Sequence, residues 1–156
     1  MTLSKAAGDN NNDVVLGSEA YDRGQTYWEY EVVSSHGTQD IGHAYVVAGI
    51  TKDGTSPLES QWVAGLPDSL GWWATRVYGV NLGIGDNHTA TTRGVKVGER
   101  GGLLLDLDAD TLTFFVEGER VGRVSVPHGA YYPAFHLAYH PSSVRILGLR
   151  PVPASV

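Results

Sequence analysis

Between Leu103 and Val124 apolar and polar residues alternate with a period of two. Leu103, Leu105 and Leu107 fall on one face of a first strand, and Leu112, Phe114 and Val116 on one face of a second. That period marks antiparallel strands with one face buried. Asp108-Ala109-Asp110 and Glu117-Gly118 supply two tight turns, so the stretch reads as three short strands in sequence. Gln25–Val33 alternates in the same way. Trp28, Tyr30 and Val32 are expected to face inward, with Glu29 and Glu31 on a wet face. Tyr45–Ile50 is apolar throughout, as a strand covered on both faces should be.

The remaining segments follow the same logic. The opening, through Asp13, is polar and turn-like, and Val14–Leu16 is a short strand. Gly71–Gly79, with Trp72, Trp73 and Tyr78, reads as another strand. So do Tyr131–Ala138 and Ser143–Leu147. Lys52–Leu70 and Leu82–Gly94 are long polar loops. No segment combines a helical period with caps. Strands separated by turn signals predict an all-β fold of two packed antiparallel sheets. We expect one domain over residues 1–150 and a tail over 151–156, the chain leaving the fold from Leu149 onward.

Composition narrows the functional classes. The chain has 156 residues and no Cys, which excludes disulfide scaffolds, thiolate zinc sites and cysteine nucleophiles. Net charge is −6 with no basic run along the chain. That argues against a nucleic-acid partner or an anionic membrane surface. No apolar run is long enough to span a bilayer, and the N-terminus lacks a secretory apolar segment. A cytoplasmic, monomeric domain is the expectation.

Four acidic residues invite a metal reading. Asp106, Asp108, Asp110 and Glu117 occupy the first, third, fifth and twelfth places of an EF-hand loop. The sixth place, where the loop turns sharply, is Thr111, a β-branched residue that resists positive φ. The flanks are strand formers, and a hairpin puts Glu117 at the far end from Asp106. A polar hairpin turn with no metal is therefore expected. The six His show no close pair on a helix and no zinc spacing. No GxSxG elbow or complete phosphate loop is present. Glu29 and Glu31 share one strand face rather than opposing each other across a cleft. No catalysis and no cofactor are expected.

Five stretches, in this order, resemble a SPRY domain. They are Gly17–Val32 (GSEAYDRGQTYWEYEV), Val46–Thr51 (VVAGIT), Gly71–Gly79 (GWWATRVYG), Val97–Gly122 (VGERGGLLLDLDADTLTFFVEGERVG) and Tyr131–Leu147 (YYPAFHLAYHPSSVRIL). The ending is similar to SPRY domains that close tripartite-motif ubiquitin ligases. The resemblance implies a bent, two-sheet antiparallel β-sandwich of the concanavalin-like jelly-roll kind. It also implies a protein or peptide partner held on variable loops, with the domain selecting substrate for a ligase.

The loops implied are Lys52–Leu70, Gly83–Gly94, Val126–Ala130 and Tyr139–Ser142. Trp62 matches an aromatic residue that peptide-binding members carry in the first loop. Ala138, Tyr139 and His140 align with a small-aromatic-Gly step, His140 standing where the family has Gly. With Leu66 and His88 from the two long loops, these form the expected partner-binding set. Large, stiff aromatic side chains on loops carry much of the energy of protein interfaces. Trp28, Trp72, Phe114 and Phe135 are expected in the core. Two other readings fit the same loops: a lectin-like carbohydrate site, and a structural or regulatory SPRY domain of a larger receptor or channel.

Overall fold

A computed structural model describes residues 2–4, 13–34, 46–52, 69–73, 80–81, 92–137 and 142–154. Among these, all regular structure is strand: β1 (Thr2–Ser4), β2 (Asp13–Leu16), β3 (Gln25–Ser34), β4 (Val46–Thr51), β5 (Ser69–Trp73), β6 (Val80–Asn81), β7 (Arg100–Asp106), β8 (Thr111–Val116), β9 (Glu119–Ser125), β10 (Tyr132–Leu137) and β11 (Ser143–Leu149). They form two antiparallel sheets. One has six strands in the order β1-β11-β3-β7-β8-β9, the other five in the order β2-β10-β4-β5-β6.

The alternation in the sequence sets the inner faces. Trp28, Tyr30 and Val32 from β3, Leu103 and Leu105 from β7, and Leu112, Phe114 and Val116 from β8 meet the five-stranded sheet's Ala48, Ile50, Trp72 and Phe135 in one cluster. Tyr30 is at its centre, edge-on to Phe135 at 5.5 Å and to Trp72 at 6.5 Å between ring centroids. Offset and edge-to-face geometries favour such pairs beyond their burial alone. β4 is buried at every position, as its unbroken apolar run requires.

The six-stranded sheet is also buried in part on its outer face, which alternation alone predicts to be wet. Tyr27, Leu104 and Phe115 form a second, smaller cluster there, with Tyr27 edge-on to Phe115 at 5.4 Å. Two adjacent glycines seat the two tyrosines. A Cβ on Gly101 would stand 2.3 Å from Tyr30 Cζ on the inside, and one on Gly102 2.3 Å from the Tyr27 hydroxyl on the outside. Burial, and then the Glu29 carboxylate, hold the Tyr27 phenol well above its ordinary range, so it stays a donor, to Glu29 Oε1 at 2.9 Å. Glu29 is therefore a working acceptor rather than a free solvated charge.

Several boundaries move. β5 begins at Ser69, not Gly71, because Ser69 and Leu70 extend the ladder against Thr51 and Ile50. Tyr78 lies outside the described residues, and the two-residue β6 was not foreseen. β10 starts at Tyr132, with Tyr131 in an isolated bridge to Tyr21. β11 runs on to Leu149 rather than stopping at Leu147. A bulge between Ile146 and Gly148, with Gly148 at φ 87°, breaks the alternation and hides the continuation. The exit from the fold follows at Arg150, whose N–H donates to the Tyr27 carbonyl at 3.0 Å.

Candidate functional site

In the β7–β8 turn the aspartates are taken up by local donors. Asp106 Oδ1 accepts from the backbone N–H of Asp108 at 3.1 Å and of Ala109 at 3.0 Å, and Oδ2 accepts from Gln25 Nε2 at 2.7 Å. Asp108 Oδ1 accepts from Gly24 N at 3.3 Å. The carboxylates cap backbone donors instead of converging. The residue that takes positive φ is Asp110, at 51°, which spares Thr111 the strain. Glu117 sits in the next turn and accepts from Arg100 N at the other end of β7, about 20 Å along the strand from Asp106. Among the described residues no group of three or more acidic or His side chains is placed to hold a metal.

Desolvation pushes the Asp106 carboxyl up, but the bonds from Gln25, Ala109 and Asp108, with Arg123 nearby, outweigh it and hold the group below its ordinary value. A depressed carboxylate stabilises the fold above the unfolded-chain value, and that contribution is lost as pH falls through the folded one. We expect Asp106→Asn to cost about 1–2 kcal/mol at neutral pH. The gap to wild type should close as acid protonates Asp106. Chemical denaturation across an acid pH series measures it. A gap that stays constant down to strong acid would refute the ionised cap.

At the same end of the sandwich, the 126–130 turn is the one expected loop that is described along its whole length. His128 is exposed, and its Nδ1 lies 2.8 Å from Asp110 Oδ1. Lys52, at the end of β4, donates from Nζ to the His128 carbonyl at 3.3 Å and sits 5.5 Å above the Tyr131 ring centroid. The Tyr131 hydroxyl donates to the Pro127 carbonyl. Gly129 leaves room for the lysine stem: a Cβ there would lie 2.6 Å from Lys52 Cε. The result is a braced polar turn that presents an exposed His128 paired with Asp110.

The six expected contact residues, Trp62, Leu66, His88, Ala138, Tyr139 and His140, all lie outside the described residues. The register still places their roots. Residues 53–68 leave from the Thr51 end of β4, where Thr51 pairs with Ser69 and Tyr132. Residues 138–141 leave after Leu137, which pairs with Val46 at the opposite end of β4. The two roots are about 17 Å apart along the strand. The four residues expected in the core are there: Trp28 is 3% exposed, Trp72 and Phe114 0%, and Phe135 5%.

One feature went unforeseen in the sequence. A cleft of about 160 Å³ opens between the sheets, with Leu16, Tyr21, Trp28, Phe135, Ile146 and Leu149 among its lining. The β11 bulge runs along one wall of it, at Ile146, Gly148 and Leu149. By pairing, Leu149 turns to the same side as core-facing Trp28, yet it is 61% exposed. The volume suits one aromatic or branched aliphatic group. No alternation signal reports such a bulge.

No family model matches the chain. Solved structures do. The SPRY domain of human HERC1 superposes with a TM-score of 0.72 at 17% identity, over 96% of this chain and 89% of that one. The TRIM65 PSpry domain superposes with a TM-score of 0.59 at 16% identity, over 85% of this chain and 67% of that one. The chain has the SPRY β-sandwich fold and resembles SPRY domains along most of its length.

Proposed function

We propose that this chain is a non-catalytic protein-interaction domain that recognises a peptide or folded epitope through its loops. The observation that carries the reading is the SPRY fold, a rigid two-sheet scaffold from which the long segments 53–68 and 82–91 depart. Function on such scaffolds belongs to loops rather than to the packed sheets. The braced turn at Pro127–Gly129 supports it, since a preorganised surface loses little entropy on binding.

More finely, we propose substrate targeting for a tripartite-motif-type ubiquitin ligase, supported by the similarity to TRIM65 and by the LGLRPVP ending. The chain has no Cys, so transfer chemistry through a thiolate or a thiolate-zinc module belongs to another segment or protein. Trp62 and Tyr139 are the proposed anchors. For these to serve one surface, 53–68 has to reach along β4, and its extended span of roughly 50 Å is ample.

The experiment compares wild type with the Trp62→Ala, Tyr139→Ala double variant in quantitative affinity capture read by mass spectrometry. The wild type should enrich a defined set of proteins. The folded double variant should lose the strongest of them by tenfold or more, a change of about 1.4 kcal/mol in binding. If every partner survives in a variant with an unchanged melting temperature, recognition lies elsewhere.

A further inference from the structure

Arginines scattered over 50 residues of sequence are gathered by strand register onto the outer face of the six-stranded sheet. Ladder partners share a face. Arg100 and Arg145 both oppose Glu31. Arg123 opposes Thr113 and donates from Nε to its Oγ1 at 2.9 Å. Arg120 opposes Phe115 of the outer cluster. Arg150 reaches the same face, its Nε 3.8 Å from Glu29 Oε2. Five of the chain's 11 Lys and Arg therefore stand on one sheet face, against, among the described residues, Glu29, Glu31, Glu117 and, at the β7–β8 end, Asp106. In a chain of net charge −6 this face is the reverse of the whole.

Three of these arginines are already engaged. Arg145 pairs with Glu31 at 3.3 Å, Arg150 with Glu29 at 3.8 Å and Arg100 with Glu117 at 4.0 Å. Arg120 and Arg123 form no ion pair: among the described residues neither has a carboxylate within 4.0 Å, and both are exposed, Arg123 donating only to the neutral Thr113 hydroxyl. They stand on β9, the outermost strand of the sheet. Tyr27, Leu104 and Phe115 beneath the face are fully packed, which gives it a stiff floor.

We propose that this face docks an acidic polypeptide segment, whose carboxylates pair with Arg120 and Arg123. Charge complementarity argues for that occupant. A guanidinium fork matches a carboxylate in two parallel hydrogen bonds. Glu29, Glu31 and Glu117 lie between the arginines, and a nucleic-acid backbone, charged at every step, would be driven onto them. A peptide can space its acidic residues to meet the β9 pair and miss those carboxylates. The surface goes beyond the loop-borne reading above. It shares no residue with Trp62 or Tyr139, so either can fail alone.

The test uses the whole chain with fluorescein-labelled deca-glutamate and deca-thymidylate, read by anisotropy at about 50 mM salt and again at about 300 mM. Deca-glutamate should bind the wild type more tightly than deca-thymidylate and weaken as salt rises. Arg120→Glu with Arg123→Glu should weaken it at least tenfold, and Arg120→Gln with Arg123→Gln by a smaller factor. Arg23→Glu, an exposed charge in the turn before β3, should leave binding unchanged. Absence of deca-glutamate binding at low salt overturns the proposal. So does tighter binding of deca-thymidylate, or an equal loss in Arg23→Glu. A β9 variant that melts well below wild type is set aside and the neutral pair decides.

Discussion

Gly49→Ala is expected to abolish the folded state or to lower its stability by about 3 kcal/mol or more. Gly49 lies in β4, the strand buried at every position, and its ladder partner on β5 is Gly71. A Cβ at Gly49 would stand 1.8 Å from the Leu70 carbonyl oxygen and 2.9 Å from its carbon. The obstacle is backbone, so no rotamer change relieves it. β4 and β5 would have to separate in the centre of the five-stranded sheet, breaking ladder bonds beside Ile50 and Trp72. Gly118→Ala is the informative contrast. Nothing lies within 4 Å of its added Cβ, and only the left-handed backbone at φ 77° resists it. That strain costs about 1–2 kcal/mol. Urea unfolding of the two variants side by side measures the difference. If Gly49→Ala unfolds no earlier than Gly118→Ala, the two strands do not approach as closely as described.

Trp72→Ala should cost about 3–5 kcal/mol, the range for deleting a large buried aromatic side chain. Trp72 is wholly buried, 5.2 Å from the Phe114 ring centroid and edge-on to Tyr30, so its loss empties the middle of the inter-sheet layer. Neighbours cannot collapse into the gap, because Tyr30 is pinned against Gly101 and Phe135. Trp72→Phe should cost much less. The Trp72 indole N–H has no hydrogen-bond partner among the described residues, so Phe removes a buried unpaired donor along with some volume. A Trp72→Phe variant as unstable as Trp72→Ala would show that shape, not aromatic burial, governs the site.

Much of the fold is legible along the chain because burial on one face of a strand writes itself as period two. Leu103, Leu105, Leu112, Phe114 and Val116 sit where that rule puts them, and so do Trp28, Tyr30 and Val32. The rule fails where a second neighbour covers the other face. Leu104 and Phe115 are buried outside the sandwich because Tyr27 folds over Gly102 onto them, a contact between strands far apart in sequence. It fails again at Gly148, where one extra residue flips the parity and turns Leu149 toward the cleft. The aspartates of the β7–β8 turn illustrate a milder gap. Their spacing matches a cation loop, and only the caps on Asp108, Ala109 and Gly24 show what each oxygen accepts.

Alternation and turn chemistry by themselves determined an all-β chain and its inward-facing aromatic and leucine set. Those properties depend on residues that are neighbours along the strand. Beyond the β7–β8 and β8–β9 hairpins, tertiary structure alone decided which strands pair and in what register, and with them the inter-sheet cleft and the arginine face. The ladders place Arg100, Arg120, Arg123, Arg145 and Arg150 on one sheet face although 50 residues separate the first from the last. Charge at a surface follows proximity in space, and in a sheet that proximity is set by cross-strand hydrogen bonds which no local pattern of residues encodes.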